Sequence, residues 1–250
     1  NPNIASSQGS DGYVVFSSES GGHVRFLQIP NETSGLYWKT TAYGTRWPNY
    51  GVGQKDYYIE IADGSRDRFN YGYQTVTNDP GLYNVSGAAE GKQFAELNCQ
   101  TVGALYQDIL TEPGSTLYWG LEHAGRWNDS TMAVLIVDVN KIDESNWDPV
   151  ADYNKYEDAV QAVVTSKAGT WTFHDYEDSK NPNGYEVLIG QYVTRFYFVS
   201  LSEDGGVEYS EASGNLLDNI SFGKDLPEPP AEKGNLTIEK TVTGLEVGTT

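Results

Sequence analysis

The chain is short of the residues on which most enzyme chemistry depends. Its 250 residues include one cysteine, one methionine and three histidines. A single thiol, Cys99, excludes an internal disulfide framework and any zinc site built on cysteines. His23, His123 and His174 are far apart, with no metal-ligand spacing. No G-x-S-x-G, H-E-x-x-H, phosphate-binding loop or dinucleotide fingerprint occurs. Positive charge is scarce as well. Sixteen Lys and Arg against 35 Asp and Glu leave a net charge of −19. Phosphate backbones and anionic membrane surfaces repel such a chain, which argues against nucleic acid as a partner. No apolar run is long enough to cross a bilayer and no signal peptide is visible, so membrane insertion is not expected.

What the chain has in quantity is aromatics and glycine: 18 Tyr, 6 Trp and 27 Gly. That balance suits strands joined by tight turns better than helices. "GYVVFSS" and "HVRFLQI" flank a "SESGG" turn and read as a hairpin. "GLYWKTTA" and "DYYIEIADG" follow, with Glu60 between Ile59 and Ile61 implying one wet face. "QFAELNCQT", "GALYQDILT", "TLYWGLEHAG" and "TMAVLIVDV" then succeed one another with turn residues between them, at sandwich spacing. Cys99 falls inside the first of these and is expected to be a core thiol. The rhythm breaks at "DPVADYNKYEDAVQAVVTSKAG". Tyr153, Tyr156, Val160, Val163 and Val164 recur at helical spacing after a potential Asp152 cap, which predicts a helix over 153–166. Strands resume at "GTWTFHDYE", "YEVLIGQ", "VTRFYFVSL" and "NLLDNISF".

Residues 1–225 thus read as one domain, and that length is enough for a substantial β core. Residues 226–234, within "KDLPEPPAEKG", are proline-rich and charged, hence an extended, semi-rigid linker. In 235–250, Leu236, Ile238 and Val242 take turns with polar residues at the period of a half-buried strand. A lone strand cannot bury its own face, so 235–250 reads as the first strand of a truncated further domain.

Two stretches carry a family resemblance. "GNLTIEKTVTGLEVGTT" resembles the start of the Cna-B/SpaA-like, pilin-type Ig-like domains of Gram-positive surface proteins. In those domains a first-strand lysine forms an isopeptide bond, and Lys240 stands at the matching place. Its asparagine and acid partners would lie past residue 250. The body, through "YWKTTA", "YYIEIADG", "FAELNCQTVGALYQDI", "PGSTLYWGLEHAGRWNDSTMAVLIV" and "GNLLDNISF", resembles galactose-binding-like jelly rolls. The resemblance implies an all-β, jelly-roll β-sandwich with one inserted helix. It also implies a calcium site in which Asp218 of the last strand would meet Asn31 and Glu32 near the first. The competing reading of Asp218 is a local hydrogen-bonding role.

"GLEHAGRWNDSTM" is the densest polar-aromatic stretch. A sugar site needs an aromatic platform for the apolar ring face and planar polar groups for paired hydroxyls. Trp127 with Arg126, His123 and Asn128 supplies both kinds of group. The alternative is structural, with Arg126 paired to Glu122 and Trp127 half buried. Trp47 and Tyr50, in the loop "GTRWPNYGVG", form a second aromatic group, whereas Trp38 reads as core. Together these features predict a non-enzymatic adhesin domain, monomeric within a longer chain. It would be extracellular, on a wall-anchored bacterial surface protein, and would bind a host glycan or a glycoprotein such as mucin or immunoglobulin. The alternatives are a structural spacer or pilin-type subunit, or a carbohydrate-binding module of a larger glycoside hydrolase.

Overall fold

A computed structural model describes residues 14–17, 24–31, 33–45, 55–63, 85, 87–99, 101–201 and 214–227. Alternating side chains give each strand two faces, and burial of one face drives the strands into layers. The strands are β1 (Val14–Ser17), β2 (Val24–Pro30), β3 (Lys39–Thr40), β4 (Tyr43–Thr45), β5 (Lys55–Asp63), β6 (Gln93–Glu96) and β7 (Ala104–Leu110). They continue as β8 (Thr116–Gly125), β9 (Ser130–Asp138), β10 (Val160–Ser166), β11 (Thr172–Asp175), β12 (Tyr185–Glu186), β13 (Val193–Ser200) and β14 (Asn215–Gly223). The only helical segments among the described residues are two short 3₁₀ turns, Val139–Lys141 and Tyr176–Asp178.

Two antiparallel sheets form the jelly-roll sandwich. One runs in the order β1-β2-β5-β6-β14-β8-β11, with β4 and β12 paired to its flanks; the other runs β10-β9-β13-β7-β3. Between them lies the main core. The first sheet contributes Ile59, Leu97, Trp119 and Leu121, and the second Met132, Val134, Ile136, Phe196 and Phe198. Each such side chain contributes about 1.5–3 kcal/mol by leaving water. Trp38 packs at the edge of this core, its ring 6.0 Å from that of Phe198. Cys99 is buried beside Ala42 and Tyr58, a core thiol as expected.

The hairpin of β1 and β2 and the run β6 to β9 form as the sequence predicts. The helix over 153–166 does not. Residues 160–166 are strand β10, paired antiparallel with β9 from Ser130 to Leu135. Ala162, Val164 and Ser166 point inward while Val163 and Thr165 face out, a two-residue period. Valines spaced 160, 163, 164 satisfy either period, and the open edge of β9 offers a ladder that stabilises the β-branched run as strand. Upstream, the Asp148 side chain accepts from the Val150 and Ala151 N–H groups and caps a turn that does not propagate. Tyr153 and Tyr156 pack instead with Trp147 on the outer face of the five-stranded sheet.

Glu60 is a second correction. It lies on the outer face of its sheet, yet that face is not wet there. Glu60 is buried, opposite the equally buried Glu96 across β5 and β6. Nearby on the same face, Val85, Ala88 and Trp171 pack on Ala62, Phe94, Ala124 and Leu216. Strand β14 ends at Gly223 and the described chain at Pro227, so residues 228–234 of the predicted linker, Lys240 and the segment 235–250 lie outside the described residues.

Candidate functional site

The connection from β8 to β9, which passes from one sheet to the other, carries the predicted sugar-binding stretch. Its turn is tight, because a Cβ at Gly125 would collide with the Asn128 carbonyl oxygen. The neighbouring 167–169 segment pins it. Gly125 N–H donates to Lys167 O at 3.2 Å, and Gly169 N–H donates to Gly125 O at 2.8 Å. Asp129 accepts from the Ala168 N–H at 3.2 Å and pairs with the Lys167 ammonium. Trp127 sits on this fixed turn with 43% of its surface exposed, and Asn128 beside it is exposed too.

Arg126 points the other way. Its Nη1 donates to both Glu96 oxygens at 3.0 Å, and the Gly214 N–H adds a third bond to that carboxylate at 3.0 Å. Both side chains are buried. Burial raises the Glu96 carboxyl above the usual carboxylate range, and the guanidinium pulls in the opposite direction. The structural reading of Arg126 therefore holds, with Glu96 as its partner in place of Glu122. The guanidinium carbon lies 6.0 Å from the Trp127 ring centroid, and the Arg126 side chain is only 10% exposed.

His123 is withdrawn from the ligand-contacting set, since its exposure is 0%. Its Nε2 is 2.7 Å from Asn215 Oδ1, and the Asn215 amide donates to Ser200 Oγ at 2.8 Å. That arrangement assigns the proton to Nε2 and leaves Nδ1 to accept from Ser166 Oγ at 2.8 Å. Ser166 is also 2.9 Å from His174 Nε2, whose Nδ1 is 3.2 Å from Asp178. Serine, histidine and aspartate thus align in the order of a hydrolase triad. Yet Ser166 is 2% exposed and its hydroxyl is held from both sides, so no substrate carbonyl reaches it. The chain is a polar seam. It crosses the sandwich twice, from β8 to β10 and from β14 to β13.

The predicted calcium set is not assembled as expected. Asn31 bonds the backbone of Thr40 in both directions, at 2.8 and 2.9 Å. It follows β2, three strand positions from β14, or about 14 Å across the sheet. No single ion bridges that span, so Asn31 and Asp218 do not share one. Glu32 lies outside the described residues, as do Trp47 and Tyr50. Asp218 faces Glu122 across β14 and β8 instead. Asp218 accepts from Glu90 N–H and Asn219 N–H at 2.9 and 2.8 Å. Glu122 is 3% exposed, and its Oε2 has no hydrogen-bond partner. Burial, then the charge of Asp218, raises the Glu122 carboxyl; burial also raises Asp218. An orphaned buried carboxylate oxygen beside a second carboxylate suits a hard cation. Among the described residues no three His, Cys, Asp or Glu side chains gather in this way, so carbonyls or water would complete the shell.

Sequence reasoning missed Glu96 as the partner of Arg126, and read Glu122 only as a partner for Arg126, not as the cross-strand neighbour of Asp218. Each pairing depends on strand register between segments at least 30 residues apart, which leaves no local signal.

No family model and no curated protein matches the chain. Among solved structures it is similar to the C-terminal family 22 carbohydrate binding module of Clostridium thermocellum Xyn10B. The identity is 11% over 79% of this chain and 92% of that one, with a TM-score of 0.41. It is similar to the CBM22-2 xylan-binding domain of Paenibacillus barcinonensis Xyn10C at 10% identity, over 80% of this chain and 98% of that one, with a TM-score of 0.40. A family 61 module solved with β-1,4-galactotriose gives 8% identity, coverage of 75% and 88%, and a TM-score of 0.38. The solved structures it is similar to include several carbohydrate-binding modules, and at this distance the ligand of this chain rests on its own residues.

Proposed function

We propose that the chain is a non-enzymatic glycan-binding module of a wall-anchored bacterial surface protein, facing host glycans or glycoproteins. The observation that carries the reading is Trp127, a large aromatic held exposed on a turn that its neighbours immobilise. A platform that is already rigid loses little entropy when a sugar ring stacks on it. Asn128 offers a planar amide beside the ring, and the Asp129–Lys167 pair adds charged groups for hydroxyls. Surface display rests on the likeness of 235–250 to pilin-type repeats. Trp127→Ala is expected to weaken binding of any glycan found by array screening by about 1–3 kcal/mol, roughly 5- to 150-fold. Calorimetric titration reads the loss, and the melting temperature should barely move. A variant that binds as tightly as the parent would place the glycan elsewhere. A parent that binds no glycan would favour the spacer reading.

The same proposal includes a structural calcium ion, held by Asp218 and Glu122. Binding only to the folded state adds about 2.7 kcal/mol at a hundredfold excess over Kd. Excess calcium should therefore raise the melting temperature above that in chelator, and Asp218→Asn or Glu122→Gln should erase the difference. Equal melting temperatures in calcium and chelator for the parent chain would rule the ion out.

A further inference from the structure

A cleft of about 640 Å³ opens on another part of the surface, sharing no residue with the Trp127 turn. Tyr43 of β4 and Tyr57 of β5 are cross-strand partners, and their rings stand 6.4 Å apart at 82°. Two rings at a right angle form a corner with two aromatic walls. Tyr57 is 50% exposed. Tyr106 and Trp147 also line the cleft, and Asp148 supplies an exposed carboxylate among the lining residues.

The walls are fixed by the backbone bonding of their polar side chains. Thr101 Oγ1 accepts from Tyr43 N–H at 3.0 Å and donates to Tyr43 O at 3.2 Å. Thr41 Oγ1 accepts from Ala104 N–H at 2.9 Å, and the Asn31 amide is bound on both sides by Thr40. Asp148 is steadied by the Val150 and Ala151 N–H groups at 2.8 and 3.2 Å. With these threonine hydroxyls and the amide so engaged, the cleft offers a ligand the Tyr43–Tyr57 corner and the Asp148 carboxylate.

We infer that this cleft binds an alkylammonium group, primary or methylated, carried on a flexible chain. Aromatic faces attract a cation within about 6 Å, and cages of aromatic rings recognise quaternary ammonium ligands. Tyr106 of the lining is already engaged by a cation, so the Tyr43–Tyr57 corner is the part of the cleft assigned to the ligand. The Arg195 guanidinium lies 4.6 Å from the Tyr106 ring centroid and 5.6 Å from that of Tyr197. The net charge of −19 draws cations towards the surface and repels anions. The cleft volume exceeds that of a bare ammonium head, leaving room for the chain that bears it. A free amine and a lysine side chain of a basic polypeptide share this chemistry.

The test titrates the whole chain with choline, with its neutral carbon isostere 3,3-dimethylbutanol, and with a short peptide containing trimethyl-lysine. Choline and the peptide should bind and the isostere should not, with affinity falling as salt rises. Tyr57→Ala should weaken binding roughly 3- to 30-fold. Asp148→Asn should weaken it severalfold without touching a ring. If Tyr57→Ala does not fold, Tyr57→Leu keeps apolar bulk and removes the aromatic face. Peptide bound far more tightly than choline assigns a polypeptide partner, and equal affinities assign a free amine. Equal binding of isostere and choline, or full binding by folded Tyr57 and Asp148 variants, overturns the inference.

Discussion

Arg126→Ala is expected to destabilise the fold by about 3–5 kcal/mol, the usual cost of breaking a buried ion pair from one side. The truncation leaves the Glu96 carboxylate buried, with the Gly214 N–H at 3.0 Å and the adjacent Glu60. Glu96 is raised by burial even with the guanidinium present, so without it the folded state holds a proton more firmly still. An acid raised in the folded state contributes most below its unfolded value and loses that contribution as pH rises. The variant should accordingly fare worst at neutral and alkaline pH. Urea denaturation at pH 7 and pH 5 reads both effects. The double variant Glu96→Gln/Arg126→Met removes charge from both sides and should recover much of the loss. If Arg126→Ala instead keeps its stability within about 1 kcal/mol and loses glycan, Arg126 belongs at the ligand after all.

His123 is expected to make stability fall as the solution is acidified from pH 7 to pH 4. Burial depresses this imidazole to about 4, against an unfolded value of 6.5. The Asn215 contact opposes the shift, and the charge of His174 adds to it. Between those values the unfolded chain takes up a proton that the folded chain refuses, so stability drops as pH falls. The loss should approach about 2 kcal/mol at pH 5 and about 3 kcal/mol at pH 4. Glu96, Glu122 and Asp218, all raised, act in the opposite sense across the lower part of that range. The clean measurement is therefore the difference in urea stability between the parent and His123→Gln at each pH. That difference should shrink steadily on acidification, because glutamine carries no proton to gain. A difference that stays constant from pH 7 to pH 4 would mean that His123 titrates alike in both states.

Much of the fold was legible in order along the chain. Strands such as "TMAVLIVDV" declare themselves because a short apolar, β-branched run is a local property, and turn residues mark its ends. The 153–166 segment was misread for the same reason. Its valines fit two periods, and only the edge of β9 decides between them. Trp127 was legible as an aromatic beside a turn, but its exposure was not, since exposure depends on what packs around the β8–β9 connection. Arg126 and His123, its neighbours in sequence, turn inward to Glu96 and to the polar seam. Asp218 was identified as a ligand-bearing position from the resemblance, while Glu122, its cross-strand neighbour, was read only as a structural partner for Arg126.

The sequence by itself determined an acidic, turn-rich, strand-forming chain with one thiol and no local catalytic signature, because charge, propensity and periodicity add up residue by residue. The tertiary structure alone decided which polar groups meet. Glu60 with Glu96, Glu122 with Asp218, and Tyr43 with Tyr57 are each set by register between separate strands. Register follows from how whole sheets bury their apolar faces, and a one-residue slip would send every one of these side chains to the opposite face.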